Sequence, residues 1–145
     1  MRRPPLLNRD NLGFLLAKAT QRWNEMLHAG FTREGFGHVR PSYGAILVPL
    51  YEEDGLRLGD LAKRARLSKQ TMTTMVRLLE REKLVRRRRD EEDARATRVF
   101  LSAHAHAFRP AAERVLARLE DEVGKEGSAE EQAIVRAFLR RFAGL

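Results

Sequence analysis

Residues 68–101 read SKQTMTTMVRLLEREKLVRRRRDEEDARATRVFL, and this stretch decides the fold. At about 100° per residue, its apolar side chains Met72, Met75, Val76 and Leu79 share one side of a helix. Polar side chains occupy the opposite side, and Ser68 is a favourable N-cap residue. The stretch therefore begins with an amphipathic helix that has one buried and one exposed face.

Two β-prone runs follow this helix, and a shorter helix precedes it. Leu84-Val85 and Arg98–Leu101 predict the strands of a hairpin, with the charged segment Arg86–Thr97 as its long tip. Upstream, Leu56–Leu58 predicts a short strand, followed by a helix that carries Leu61, Ala62 and Ala65. The order strand, helix, turn, helix, hairpin is that of a winged helix-turn-helix.

The segments outside this module predict further helices. A stripe at helical spacing predicts a first helix of four or more turns: Leu12, Leu15, Leu16, Ala19, Trp23, Met26 and Leu27. Gly30–Gly37 predicts a loop, and Pro41 is placed to open a second helix. Ser102 and Ser128 are placed to cap two C-terminal helices with apolar faces. The predicted fold class is mainly α with a small β-hairpin.

The positive charge is concentrated in one segment. The net charge is +8, and residues 57–98 hold fourteen Lys and Arg against seven Asp and Glu. A localised positive field suits a polyanion, because each phosphate contact releases counterions. The segment predicts double-stranded DNA as a partner. A solvated basic face without a partner and, less favourably, an anionic membrane surface are the alternatives.

The predicted DNA contacts follow from the docking geometry of a helix-turn-helix, whose second helix enters the major groove. Gln70 suits adenine, Arg77 suits guanine or phosphate, and the Thr73 and Thr74 side chains suit base edges or thymine methyl groups. Basic and capping side chains around them suit phosphates. The remaining predicted contacts are Arg64, Arg66, Ser68, Lys69, Arg87, Arg88 and Arg89.

The chain resembles the MarR family of bacterial transcription regulators over nearly its whole length. The resemblance rests on Leu61-Ala62, Leu67-Ser68, Leu79-Glu80, Leu84–Arg86, Asp90–Arg95 and Val99–Ser102. It implies one regulator domain over 1–145, with a winged helix-turn-helix at 41–101 and dimerisation helices at 8–30 and 102–145. It also implies a homodimer and an Asp-x-Arg wing signature, in which Asp93 braces the hairpin and Arg95 meets DNA.

Two further expectations come from comparing the chain with the family pattern. Arg66 and Lys83 occupy turn positions where glycine is common, so these turns either adopt other dihedral angles or tolerate strain of roughly 1 kcal/mol. The resemblance also places an effector pocket near Trp23, Met26, Tyr43 and Leu47, although core packing is the favoured interpretation of these side chains.

Several function classes are disfavoured. The chain has no cysteine, which excludes disulfides, thiolate nucleophiles and cysteine-based zinc sites. Ser102 and His104 lack the third group and oxyanion site of a hydrolase, so no enzyme is expected. His104 and His106 point to different sides of a helix, and neither a metal nor a cofactor is expected. The longest apolar run, Ala45–Leu50, is too short for a membrane span, and Met1–Pro5 lacks an apolar signal region, so a cytoplasmic location is expected.

The sequence thus predicts a DNA-binding transcription regulator. The favoured form is a repressor that binds an inverted-repeat operator as a homodimer and is released by a small-molecule ligand. The alternative is a basic architectural DNA-binding protein without effector control.

Overall fold

The computed structural model describes residues 2, 3 and 5–145 as six α-helices and a three-stranded antiparallel sheet. The helices are α1 (Leu12–Arg33), α2 (Gly44–Glu52), α3 (Leu58–Ala65), α4 (Lys69–Arg81), α5 (Ala103–Gly124) and α6 (Ala129–Ala143). The strands are β1 (Leu56–Arg57), β2 (Val85–Arg89) and β3 (Thr97–Leu101), and β3 lies between the other two. The predicted fold class is confirmed.

The chain divides into two compact units. One comprises the chain up to Leu27 together with Glu113–Leu145, and the other comprises His28–Ala112. The second unit holds the winged module and a core of fully buried side chains. Its largest members include Ile46, Leu50, Leu61, Met72, Leu79, Leu84 and Val99. These residues come from the apolar faces of α2, α3, α4 and the sheet and from the turn before β2, so the opposite face of α4 is left for solvent.

The helix starts that the sequence predicts are confirmed at three serines. The Ser68 hydroxyl accepts a hydrogen bond from the backbone N–H of Thr71 at 3.1 Å. The Ser102 hydroxyl accepts from Ala105 N–H at 3.2 Å. Ser128 and Glu131 form a reciprocal capping box at the start of α6. Each cap supplies an acceptor to a backbone N–H group that has no partner within its helix.

Three boundaries differ from the prediction. α1 continues to Arg33, beyond the predicted loop start at Gly30, because Gly30 is buried within a packed helix. The helix predicted to open at Pro41 begins with a 3₁₀ turn, Pro41–Tyr43, and becomes α-helical at Gly44. β2 extends through Arg89, so much of the predicted tip is strand.

The extension of β2 is set by its partner strand. Val85 pairs with Leu101, and the register continues to Arg89 opposite Thr97. Four successive arginines show no apolar alternation, so the sequence pattern alone hides this strand. β2 is an edge strand, where charged side chains keep the sheet from pairing with another chain.

None of the helices in the part of the chain described here is both long and apolar enough to cross a membrane.

Candidate nucleic-acid interface

The exposed face of α4 carries the side chains predicted to read bases. Gln70, Thr74 and Arg77 are exposed, and Thr73 is half-buried. The Thr73 hydroxyl donates to Lys69 O at 2.8 Å and the Thr74 hydroxyl donates to Gln70 O at 3.1 Å. Each hydroxyl oxygen thus keeps acceptor capacity for a base edge. The helix presents amide, methyl, hydroxyl and guanidinium groups on one surface.

A cleft of about 710 Å³ lies beside the N-terminus of α4. The helix-turn-helix contributes Lys63, Arg66 and Lys69 to its lining, and the wing contributes Arg95. Asp60 and Asp93 also line the cleft, so cations outnumber anions there. Cations held on two sides of a cleft suit the phosphates of a strand that passes between helix and wing.

Arg66 reaches this cleft from a strained backbone position. It follows α3 with φ 55° and ψ 40°, in the left-handed region. Lys83, after α4, has φ 61°. The sequence left two outcomes open, other dihedral angles or tolerated strain. The structure shows the second, because both residues keep the left-handed conformation that favours glycine.

The four arginines of β2 have different surroundings. The Arg87 guanidinium donates to both carboxylate oxygens of Glu80 on α4 at 3.0–3.2 Å, and the Arg87 backbone N–H donates to Glu80 as well. This side-chain hydrogen bond lowers the pKa of Glu80. Arg88 lies over the Phe100 ring at 5.5 Å, within cation–π range. Arg87 therefore joins the wing to α4, a contact that the sequence does not indicate, although all four arginines are exposed.

Asp90 is a residue that sequence reasoning missed. Its side chain is 1% exposed and pairs with Arg57 of β1 at 2.6 Å and with Arg98 of β3 at 2.9 Å. Its other carboxylate oxygen accepts the backbone N–H groups of Glu92 and Asp93. The Glu92 N–H and the Arg57 guanidinium lower the pKa of Asp90 to about 2. One buried carboxylate thus connects the end of β2 to β1 and β3.

A local signal for this role exists in the sequence. An Asp directly after a strand favours an Asx-turn, in which the side chain bonds the backbone two residues later. Its two arginine partners lie 33 and 8 residues away along the chain, so only the folded topology reveals them.

The predicted Asp93 and Arg95 pair lies at the wing tip. Asp93 Oδ1 accepts the backbone N–H of Arg95 at 3.0 Å and the Arg95 Nε–H at 3.2 Å. The Arg95 side chain is 92% exposed. Asp93 therefore stabilises the turn through hydrogen bonds to Arg95, and the Arg95 side chain projects into solvent. Asp90 forms the ion pairs that join the wing to β1 and β3.

The other predicted contacts are also placed by the structure. Arg64 is exposed and forms an ion pair with Glu53. Ser68 caps α4, and its hydroxyl also donates to the Thr71 hydroxyl at 2.9 Å. Tyr43 and Leu47, of the predicted effector pocket, are buried in the second unit, while Trp23 and Met26 are half-buried on α1 in the first unit.

Ser102 and His104 each have a structural partner. The Ser102 hydroxyl donates to Lys83 O at 2.5 Å, and His104 Nε2 lies 2.7 Å from His38 Nε2. Among the described residues, no group of three or more His, Asp or Glu side chains is arranged to hold a metal ion.

Comparisons with known proteins agree with this architecture. The family model described as MarR family matches residues 41–97. A probable transcriptional regulator from Pseudomonas aeruginosa is 27% identical, with a TM-score of 0.80, over 92% of this chain and 97% of that one. Among curated proteins, the sequence comparison gives no significant match.

Two other solved structures share the fold at lower identity. The PcaV transcriptional regulator from Streptomyces coelicolor, in complex with its natural ligand, is 22% identical with a TM-score of 0.80, over 99% of this chain and 98% of that one. A complex of S. aureus MepR with DNA is 21% identical with a TM-score of 0.78, over 92% and 96%.

Proposed function

We propose that this chain, whose residues 41–97 match the family model described as MarR family, is a non-enzymatic, sequence-specific DNA-binding regulator of transcription that acts as a repressor. The observation that carries the proposal is the exposed face of α4. Gln70, Thr74 and Arg77 share it, and a cleft lined by cations lies beside the start of the helix. Base-reading and phosphate-binding groups are thus adjacent on one rigid module.

Exposed apolar side chains support a homodimer. In the first unit, α6 exposes Ile134, Val135, Phe138, Leu139 and Phe142, and Phe142 is 66% exposed. The Phe138 and Phe142 rings are parallel, with centroids 6.1 Å apart. Leaving such a surface in water is unfavourable, and a second copy of the chain would cover it. Two recognition helices related by a two-fold axis then require an inverted-repeat operator with half-sites about 10 base pairs apart.

Release by a small-molecule ligand completes the proposal. Its support is the likeness to a regulator whose structure was determined with its natural ligand. Trp23 is the single tryptophan of the chain, so its fluorescence offers a direct reporter of ligand binding. A ligand that changes this fluorescence and weakens operator binding at the same concentration would support the assignment.

Selection of bound duplexes from a random pool tests the proposal. We expect enrichment of an inverted repeat by the wild-type protein, and loss of that enrichment in Gln70→Ala. Lys125→Ala, a surface cation outside the winged module, is the matched control and should select the same sequence. Equal recovery of all sequences would instead identify a basic architectural DNA-binding protein.

A further inference from the structure

His38 and His104 form a pair that the DNA-binding function does not use. His38 lies in the loop between α1 and α2, and His104 lies in the first turn of α5. Their Nε2 atoms are 2.7 Å apart, and 66 residues separate them in the chain. Both belong to the second compact unit. The contact therefore joins the loop to the point where β3 passes into α5.

The ring geometry fixes how the two imidazoles meet. The ring planes are 16° apart and the ring centroids are 4.9 Å apart. The centroid separation exceeds the Nε2–Nε2 distance by 2.2 Å, which is about the sum of the two distances from ring centre to nitrogen. The rings therefore meet edge to edge, with both Nε2 atoms on the line between the centroids. One Nε2 must donate a proton and the other must accept it.

This arrangement has room for one proton between the nitrogens. If both imidazoles were protonated, two N–H groups and two positive charges would face each other at hydrogen-bond distance. The position of His104 adds to this cost, because the N-terminus of a helix disfavours a cation. In the unfolded chain the two histidines are apart and each takes up its own proton in acid.

Other ionisable groups lie on the elements that meet here. Those nearest to the pair in the sequence of these elements include His28 and Arg33 on α1, Glu34 and Arg40 in the loop, Tyr51 on α2, and His106 and Arg109 on α5. The Tyr51 hydroxyl donates to Ala105 O at 2.6 Å, and burial raises its pKa to about 12, so it stays neutral near neutral pH. The arginines stay charged, and an ordinary glutamate titrates at lower pH than histidine.

We propose that the His38–His104 pair is a protonation switch that fastens the α1–α2 loop to α5 near neutral pH and releases it in acid. The proposal concerns the stability of the second compact unit and goes beyond DNA recognition. In acid the unfolded chain binds one more proton at this pair than the folded chain, so folding stability falls as pH falls. One proton changes the folding equilibrium constant by up to about tenfold per pH unit. The loop segment 34–40 should lose protection first.

Denaturant unfolding of the full chain at pH 7.5, 6.5, 5.5 and 5.0 tests the switch. We compare the wild type with the double variant His38→Gln/His104→Gln, which keeps polar side chains that do not titrate. His106→Gln is the matched control, because His106 is an exposed histidine on the same helix. The folding equilibrium constant of the wild type and of the control should fall with decreasing pH more steeply than that of the double variant. The difference should be up to about tenfold per pH unit. Parallel loss in all three proteins would overturn the proposal.

Nitrogen NMR of the wild-type imidazoles gives a second readout that does not depend on the folding of a variant. The chain has four histidines. We expect His38 and His104 to titrate together in two separated steps. The second step should coincide with faster amide exchange in segment 34–40 of the wild type than at pH 7.5. Independent single-step titrations of His38 and His104 would refute a shared proton.

Discussion

Replacing Arg66 by glycine should make the protein more stable and a weaker DNA binder. Arg66 holds a left-handed backbone conformation at φ 55°. Relieving this conformation gains about 1–2 kcal/mol, and the greater freedom of glycine in the unfolded chain costs about 0.5–1 kcal/mol. The net gain is about 0.5–1 kcal/mol, a few-fold in the folding equilibrium constant. The lost cation lines the cleft beside α4.

The loss of affinity follows from counterion release. One phosphate contact contributes a slope of about 0.9 to the dependence of log K on log salt. At 0.15 M salt, losing one such contact should weaken binding about fivefold. Losing both copies in a dimer should weaken it about thirtyfold. The salt slope of Arg66→Gly should therefore be about 1.8 smaller than that of the wild type.

Lys83→Gly is the matched control, because Lys83 is also basic and also left-handed, at φ 61°, but does not line the cleft. It should gain similar stability and keep the wild-type salt slope. Denaturant unfolding and fluorescence anisotropy with labelled DNA at 50 to 300 mM salt measure both quantities. An unchanged salt slope in Arg66→Gly, or an equal fall in both variants, would refute the phosphate role of Arg66.

Three further predictions concern the wing and α4. Asp90→Asn should lower the free energy of unfolding at pH 7 and reduce the stability lost between pH 4 and pH 2 in denaturant unfolding. A carboxylate with a lowered pKa stabilises the fold above its unfolded-state pKa, and this effect is lost as pH falls. Equal acid sensitivity of the variant and the wild type would contradict the role of the buried Asp90 carboxylate. Asp93→Ala should weaken DNA binding at two salt concentrations although it removes a negative charge, and tighter binding would show that it does not hold the tip. Arg77→Ala should reduce affinity for the operator by about 1–3 kcal/mol more than affinity for random DNA in parallel titrations, and equal losses would assign Arg77 to phosphates.

Local patterns in the sequence predict the helices and their starts well. The separation of Met72, Val76 and Leu79 from Gln70 and Arg77 predicts which face of α4 is buried, and the structure confirms it. Ser68 also predicts where that helix begins. These features depend on residues within one or two turns of each other, so spacing and side-chain chemistry determine them.

Features that depend on distant residues escape the sequence. The Asp90 carboxylate meets Arg57 only because β1 and β2 both pair with β3. His38 and His104 meet only after the loop packs against α5. Arg87 differs from its neighbour Arg88 because strand alternation turns it toward Glu80. In a run of identical residues, nothing before folding distinguishes one arginine from the next.

The ratio of two affinities tests the central claim, that the exposed face of α4 reads a defined sequence. The wild type is titrated with the inverted repeat selected from the random pool and with a scrambled duplex of the same composition, at 0.15 M salt. We expect the inverted repeat to bind at least about 10³-fold more tightly, and Gln70→Ala to lose most of that ratio. Equal affinity for the two duplexes in the wild type would contradict the account.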